Sequence, residues 1–240
     1  MSVAPAIRVR VMTWNIHGGV GIDRRFDLDR ICAAIKRNAP DVAALQEVDS
    51  RRRAGGARSP FELLRQAVGE HGIDARSIVT ADGDYGQMVV SRWPLSNTEV
   101  HDITHEQREP RRAIAADVAW PGGRFHVVAA HFGLALAERR VQARRLVEIA
   151  RRHTIPTVML GDFNDFIWPG SLRAALKREF PARSRQASFP SWLPLLRLDR
   201  IFCWPRETEL KSFVDREARL ASDHLPVVAD IAFPPVDPTS

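Results

Sequence analysis

The chain is poor in lysine, tyrosine and cysteine, and each scarcity narrows what it is. Lys36, Lys177 and Lys211 are its lysines, so a formal net charge of +6 rests almost wholly on arginine. An arginine fork binds two phosphate oxygens at once, which suits an anionic substrate. A biased base composition decorating a solvated surface gives the same excess. The two cysteines, Cys32 and Cys203, are too few for a disulfide framework, and their spacing fits no zinc site. Both lie in apolar segments and read as buried free thiols, compatible with a reducing cytoplasm. No apolar run approaches the ~18–20 residues that a membrane helix needs. The opening MSVAPAIRVR has no basic cluster followed by an apolar stretch, so no secretory signal is expected, and the cytoplasm is the expected compartment.

What is present is a balanced globular composition. Of 240 residues, 45% are hydrophobic and 27% charged. That permits a sizeable core and argues against disorder, and one unit over 1–240 is expected. Strand-length apolar runs occur at Val9–Trp14, Val42–Gln46, Gln87–Ser91, Ala113–Val118, Phe125–Ala130, Thr157–Leu160, Leu198–Cys203 and Val227–Ile231. Helical spacing marks Asp27–Arg37, Phe61–Val68, Glu138–Arg152 and Ser171–Glu179. Strands and helices alternate at both ends, with several strands in succession between them. A purely parallel array would lack that middle series, so mixed sheets with helices outside are expected. Arg51–Ser59 reads as a long loop and PPVDPTS as a tail.

Several apolar strands run into a polar residue. The first reaches Asn15, the second Gln46 and Glu47, FHVVAAHF reaches His131, and TVMLGDFND reaches Asp162 and Asn164. RLDRIF carries Asp199, and SDHLPVV opens on Asp223 and His224. Any one of these alone is an ordinary turn former. Six together at one end of a sheet would converge on one cleft. Carboxylates, amides and two imidazoles suit Mg²⁺ or Mn²⁺ better than structural zinc.

On the motifs WNIHGG, LQEVD, GQMVVSRWP, EPRRAI, HFG, GDFND, LDRIF and SDHLPV, in that order, the chain resembles the endonuclease/exonuclease/phosphatase superfamily of metal-dependent hydrolases. The resemblance implies a four-layer α/β sandwich with two central mixed β-sheets flanked by helices. It implies Glu47 as a direct ligand of the metal with Asn15 beside it, and Asp223 at the metal or the adjacent shell. Asp162 would orient and activate the attacking water, and Asn164 would hold a phosphate oxygen or share the metal shell. His224, backed by Asp199, would stabilise developing charge, with His131 on the leaving-group side. Arg111 would face phosphate. Tyr85, beside Gly86, is either a phosphate-facing hydroxyl or a turn residue. GQMVVSR departs from the family's usual Gly-Asn-Ala start, which puts a substrate contact by Gln87 in doubt.

Three substrate readings follow. A lipid-linked or small-molecule phosphodiester is favoured, because the chain looks closest to small bacterial members similar to the catalytic domain of GPI-anchor lipid remodelling proteins. The apolar stretch 189–196, with Phe189, Trp192, Leu193, Leu195 and Leu196, would meet an acyl chain or a membrane surface if exposed, or else pack over the core. A nuclease is the alternative, supported by basic charge, with the arginines of 138–152 read either as a phosphate-binding face or as an ordinary solvated helix face. LDRIF and the lack of aromatic-plus-lysine segments differ from the repair-endonuclease branch. A non-catalytic binding module is the third.

Overall fold

The computed structural model describes residues 8–51, 59–152, 154–165, 176 and 179–234. Most of the Arg51–Ser59 loop, nearly all of the Ser171–Glu179 helix and nearly all of the C-terminal tail lie outside these residues. Two six-stranded sheets face each other. The first contains β1 (Arg8–Asn15), β2 (Val42–Asp49), β3 (His71–Thr80), β4 (Gly83–Ser91), β11 (Glu209–Val214) and β12 (Val227–Ala232), in the order β11-β12-β1-β2-β4-β3. The second contains β5 (Leu95–Asp102), β6 (Arg112–Trp120), β7 (Gly123–His131), β8 (Thr157–Asp162), β9 (Ala182–Arg183) and β10 (Asp199–Trp204), in the order β5-β6-β7-β8-β10-β9.

The two sheets share one pattern of strand directions. Each has a single parallel pair at its centre, β1–β2 and β7–β8, flanked by antiparallel neighbours. A parallel pair needs a crossover. Here α1 (Leu28–Asn38) makes the first and α3 (Leu136–Ala150) the second. α1 starts where Asp27 accepts a hydrogen bond from the Arg30 amide, 3.2 Å. α2 (Pro60–Val68) starts with a capping box between Ser59 and Glu62 and a proline at its first turn.

Period-two alternation divides each central strand between two cores. Val9 and Val11 point inward and meet Val127, Ala129, Val158, Leu160 and Ile201 from the facing sheet. Met12 and Trp14 point outward, under Ile31 and Ile35 of α1 and Phe61 and Leu64 of α2. Val128, Met159 and Phe202 lie under Leu146 and Ile149 of α3. Helix, sheet, sheet and helix form four layers, as expected from the sequence. Cys203 is buried and Cys32 only partly so; both are free thiols. Burial raises the pKa of each.

Candidate active site

The inner-face rows that build the central core end in the polar residues. Val9, Val11 and Thr13 lead to Asn15; Phe125, Val127 and Ala129 lead to His131. Val158 and Leu160 lead to Asp162, and Cys203 and Ile201 lead back to Asp199. Parallel pairing brings His131 opposite Asp162, and antiparallel pairing brings Asp199 opposite Asp162 from the other side. The same alternation that fills the core therefore aims four polar side chains into the mouth between the sheets.

Their focus is one oxygen. Asp162 Oδ2 accepts from Asn15 Nδ2 at 3.0 Å and lies 3.7 Å from His131 Nε2 and 3.9 Å from His224 Nε2. The Asn15 amide also donates to Glu47 Oε1, 2.8 Å, so one side chain joins carboxylates of the two sheets. Glu47 reaches that position through an irregularity in the β2–β4 register and a left-handed backbone, φ 58°. Asn164 is also left-handed, φ 49°. Its amide N–H donates to Asp162 Oδ1 at 3.0 Å, and its side chain donates to the Phe132 carbonyl at 2.9 Å. Strained non-glycine residues of this kind concentrate at functional sites.

The two histidines have opposite electrostatic surroundings. His224 Nδ1 lies 2.8 Å from Asp199 Oδ2. Burial opposes the imidazolium, but the charge and hydrogen bond of Asp199, with the charges of Asp162 and Asp223, outweigh it and raise its pKa to about 10. His131 is driven well below its ordinary value by burial first, then by Arg111 and His224. Arg111 Nη1 donates to His131 Nδ1 at 3.0 Å, so the proton of the neutral ring sits on Nε2, toward Asp162 and Glu47. The Asp162 pKa rises to about 6, through burial and then Asp199, against the opposing pull of His224, Asn15 and Asn164. Asp162, Asp199 and His224 place ligand atoms within 4.8 Å of one another. Because Asp199 and His224 are spent on each other, the trio is better suited to holding protons than to chelating a cation.

Tyr85 lies on β4 beside Arg111; its pKa is raised by burial and then by Glu47. The Asp223 carboxylate lies 3.3 Å from Ser222 Oγ and 3.8 Å from His17 Nδ1, and both residues also bond Asn15. Gln87 donates to the Arg112 carbonyl of the opposite sheet, so it ties the sheets together. Three supporting residues went unmarked in the sequence. Ser188 Oγ donates to Asp199 Oδ2 at 2.5 Å and accepts from the Asp199 amide at 3.2 Å. The Trp14 indole donates to the His224 carbonyl at 2.9 Å. Ser222 Oγ donates to the Asn15 carbonyl at 2.8 Å. Trp14 and Ser222 fall inside WNIHGG and SDHLPV and were findable; Ser188 sits eleven positions before its partner, with no local signal.

The sequence model of the Endonuclease/Exonuclease/phosphatase family matches residues 12–224, and the chain belongs to this family. It is thereby a hydrolase of the nuclease, phosphatase and phosphodiesterase type. It is 31% identical over 241 residues to the uncharacterized protein YbhP of Escherichia coli K12, covering 92% of this chain and 95% of that one. It is 28% identical over 155 residues to the protein cwh43 of Schizosaccharomyces pombe, covering 62% of this chain and 15% of that one. The crystal structure of an endonuclease/exonuclease/phosphatase from Beutenbergia cavernae superposes with a TM-score of 0.76 at 27% identity, over 94% of this chain and 72% of that one.

Proposed function

We propose that this protein is a divalent-metal-dependent phosphodiesterase acting on a lipid-linked or small-molecule phosphodiester. The observation that carries the proposal is the convergence on Asp162 Oδ2 of an amide, a neutral imidazole and a cationic imidazole.

The donor set fits Mg²⁺ or Mn²⁺. Among the described residues, the only basic side chains within 4.0 Å of the Glu47 and Asp162 carboxylates are His131 and His224. The first is held neutral, so negative charge is left over for a cation, and its donors are hard oxygens. Glu47 and Asn15 would hold the ion, with Asp223 a step further out beside His17. The bound ion supplies charge that offsets the phosphate's own and makes it attackable.

The chain's own groups then divide the work. Above pH 6 Asp162 is ionised and accepts a proton from a water held between it and Asn164. The His224 cation, kept charged by Asp199, faces the same point and stabilises charge developing on the phosphoryl oxygens. Arg111, supported by Tyr85, binds phosphate from the opposite sheet. His131 offers its Nε2–H on the leaving-group side.

The test is hydrolysis of bis-p-nitrophenyl phosphate with Mg²⁺ or Mn²⁺. Turnover that disappears in Asp162→Asn and in His224→Ala, both still folded, is the expected result. No turnover with either metal would favour the non-catalytic reading. The nuclease reading has the charge of +6 behind it. Several arginines of α3 and its C-terminus are, however, already engaged: Arg139 on the Leu134 carbonyl, Arg145 on the Asp102 and Thr104 carbonyls, and Arg151 on Glu179. A nuclease would lose affinity for DNA steeply as salt rises; cleavage of DNA with that signature would displace the small-diester reading.

A further inference from the structure

Large apolar side chains are ordinarily scattered when they are exposed, and a cluster of them marks a surface that meets something. Trp192 is 65% exposed, Leu195 70%, Leu193 48%, Leu220 49% and Ile22 38%. They come from three chain segments that are stitched together. The Ser191 amide donates to the Asp223 carbonyl at 2.7 Å, and its hydroxyl donates to the Arg219 carbonyl at 3.0 Å. Gly21 packs so closely that an added Cβ would lie 2.2 Å from the Leu220 carbonyl oxygen. The loop carrying Trp192 is itself pinned. Leu193 donates to the Pro190 carbonyl at 3.1 Å, and Leu195 and Leu196 donate to the Phe189 carbonyl at 2.9 and 2.8 Å. The apolar tips are thus held outward by a closed loop.

Charge follows the same three segments. Arg24, Arg25, Arg197, Arg216 and Arg219 are all exposed. Of the acids interspersed with them, Asp23 pairs with Arg30, which Asp27 shares, and Glu217 lies 3.6 Å from Arg37, which Asp215 shares; the five exposed arginines outnumber them. An apolar centre containing a tryptophan, with an arginine rim, is complementary to an anionic bilayer: the acyl boundary takes the former and the headgroups the latter. A globular protein partner would not need so one-sided a rim. The loop also adjoins the site, since the Phe189 ring that precedes it lies 4.8 Å from the His224 imidazole, centroid to centroid, tilted by 51°.

We infer that the face formed by residues 22–25, 190–197 and 216–220 docks on an anionic lipid bilayer and brings the catalytic mouth to phosphodiesters at the membrane surface. The docking stands on the surface alone; its consequence for substrate rests on the hydrolase reading above.

The experiment is co-sedimentation of the purified full chain with phosphatidylglycerol/phosphatidylcholine vesicles and with pure phosphatidylcholine vesicles, alongside bis-p-nitrophenyl phosphate turnover of the wild type. Binding to the anionic vesicles, weakening as salt rises, is expected. In the double variant Trp192→Ala/Leu195→Ala the affinity should fall about a hundredfold, the burial value of two large side chains. Arg197→Gln/Arg219→Gln should remove the preference for anionic vesicles, and Asp162→Asn should bind as the wild type does. Melting curves of these exposed-site variants should match the wild type. Absence of vesicle binding by a chain that turns over the diester overturns the docking and leaves the hydrolase. Vesicle binding without turnover upholds the docking and removes the hydrolase. A dimer in light scattering that Trp192→Ala/Leu195→Ala dissociates would make the patch a self-association face and overturn the inference.

Discussion

His224 Nδ1 and Asp199 Oδ2 are 2.8 Å apart, both buried, with Ser188 donating to the same carboxylate oxygen at 2.5 Å. The pair sets the charge of the histidine whose Nε2 lies 3.9 Å from Asp162. Because the folded pKa of His224 is raised from 6.5 to about 10, its stabilisation is present in full below pH 6.5 and is lost as pH climbs through 10. Asp199→Asn should bring the His224 pKa down by several units in an NMR titration. The alkaline limb of turnover should move down with it, and rate at neutral pH should fall about 10²–10⁴-fold. A titration point unchanged by the substitution would remove Asp199 from this role.

Asp162 has the opposite linkage. Its carboxyl prefers to be neutral in the fold, with a pKa raised from 3.8 to about 6. Ionisation therefore costs stability, nothing below pH 4 and the full amount above pH 6, on the order of 3 kcal/mol for a shift of about two units. In EDTA, Asp162→Asn should melt higher than the wild type at pH 7 and equally at pH 3.5, while losing turnover. A variant that is both active and no more stable would contradict both halves of the assignment. The expected trade of stability for activity is common where a site holds strained or unpaired charge.

What the sequence conveyed about the fold depended on where a strand lies in its sheet. The eight runs read as strands became β1, β2, β4, β6, β7, β8, β10 and β12, all of them interior. β3, β5, β9 and β11 passed unnoticed, and these are the four edges. Edge strands meet solvent along one side and need no apolar run: TEVH within β5 and ELKS within β11 are mostly exposed or half-buried. The gathering of polar residues around Asp162 was legible for a related reason. Asn15, His131, Asp162 and Asp199 each end an apolar row, so their polarity stood out. The position of Asp223 beside His17 was not legible, because a loop residue's direction is set by contacts across the fold. The unpacked state of Trp192 and Leu195 was not legible either, since composition is the same for a buried and an exposed apolar loop.

Gly161 allows β7 and β8 to close over the site. An added Cβ would lie 1.9 Å from the Ala130 carbonyl oxygen, and the residue's φ is 155°. Both neighbours are buried interior strands, so the clash has nowhere to relax. Gly161→Ala should cost more than about 3 kcal/mol in urea unfolding, at the severe end of single substitutions. A loss below about 1 kcal/mol, measured against the usual centre for point mutants, would show that the strands part more easily than their packing suggests.

Glu47 provides the test of the cation itself. It holds its carboxylate beside Asn15 from a left-handed backbone, φ 58°, with a quarter of the side chain exposed at 24%. A ligand that binds only the folded state stabilises it by about 2.7 kcal/mol at a hundred times its Kd. For a chain of this size that is a rise in Tm of about 5–10 °C. Mn²⁺ or Mg²⁺ should therefore raise the melting temperature of the wild type, and EDTA should reverse the rise. Glu47→Gln keeps the side chain's shape and its hydrogen bond to the Asn15 amide but removes the charge. Its melting temperature should be insensitive to either metal, and the same loss should follow from Asn15→Ala. Asp223→Asn, one step further out beside His17, should keep most of the shift. If Glu47→Gln retained the whole of it while Asp223→Asn lost it, the cation would belong on the Asp223 side of the mouth, and the roles given to the two carboxylates would exchange.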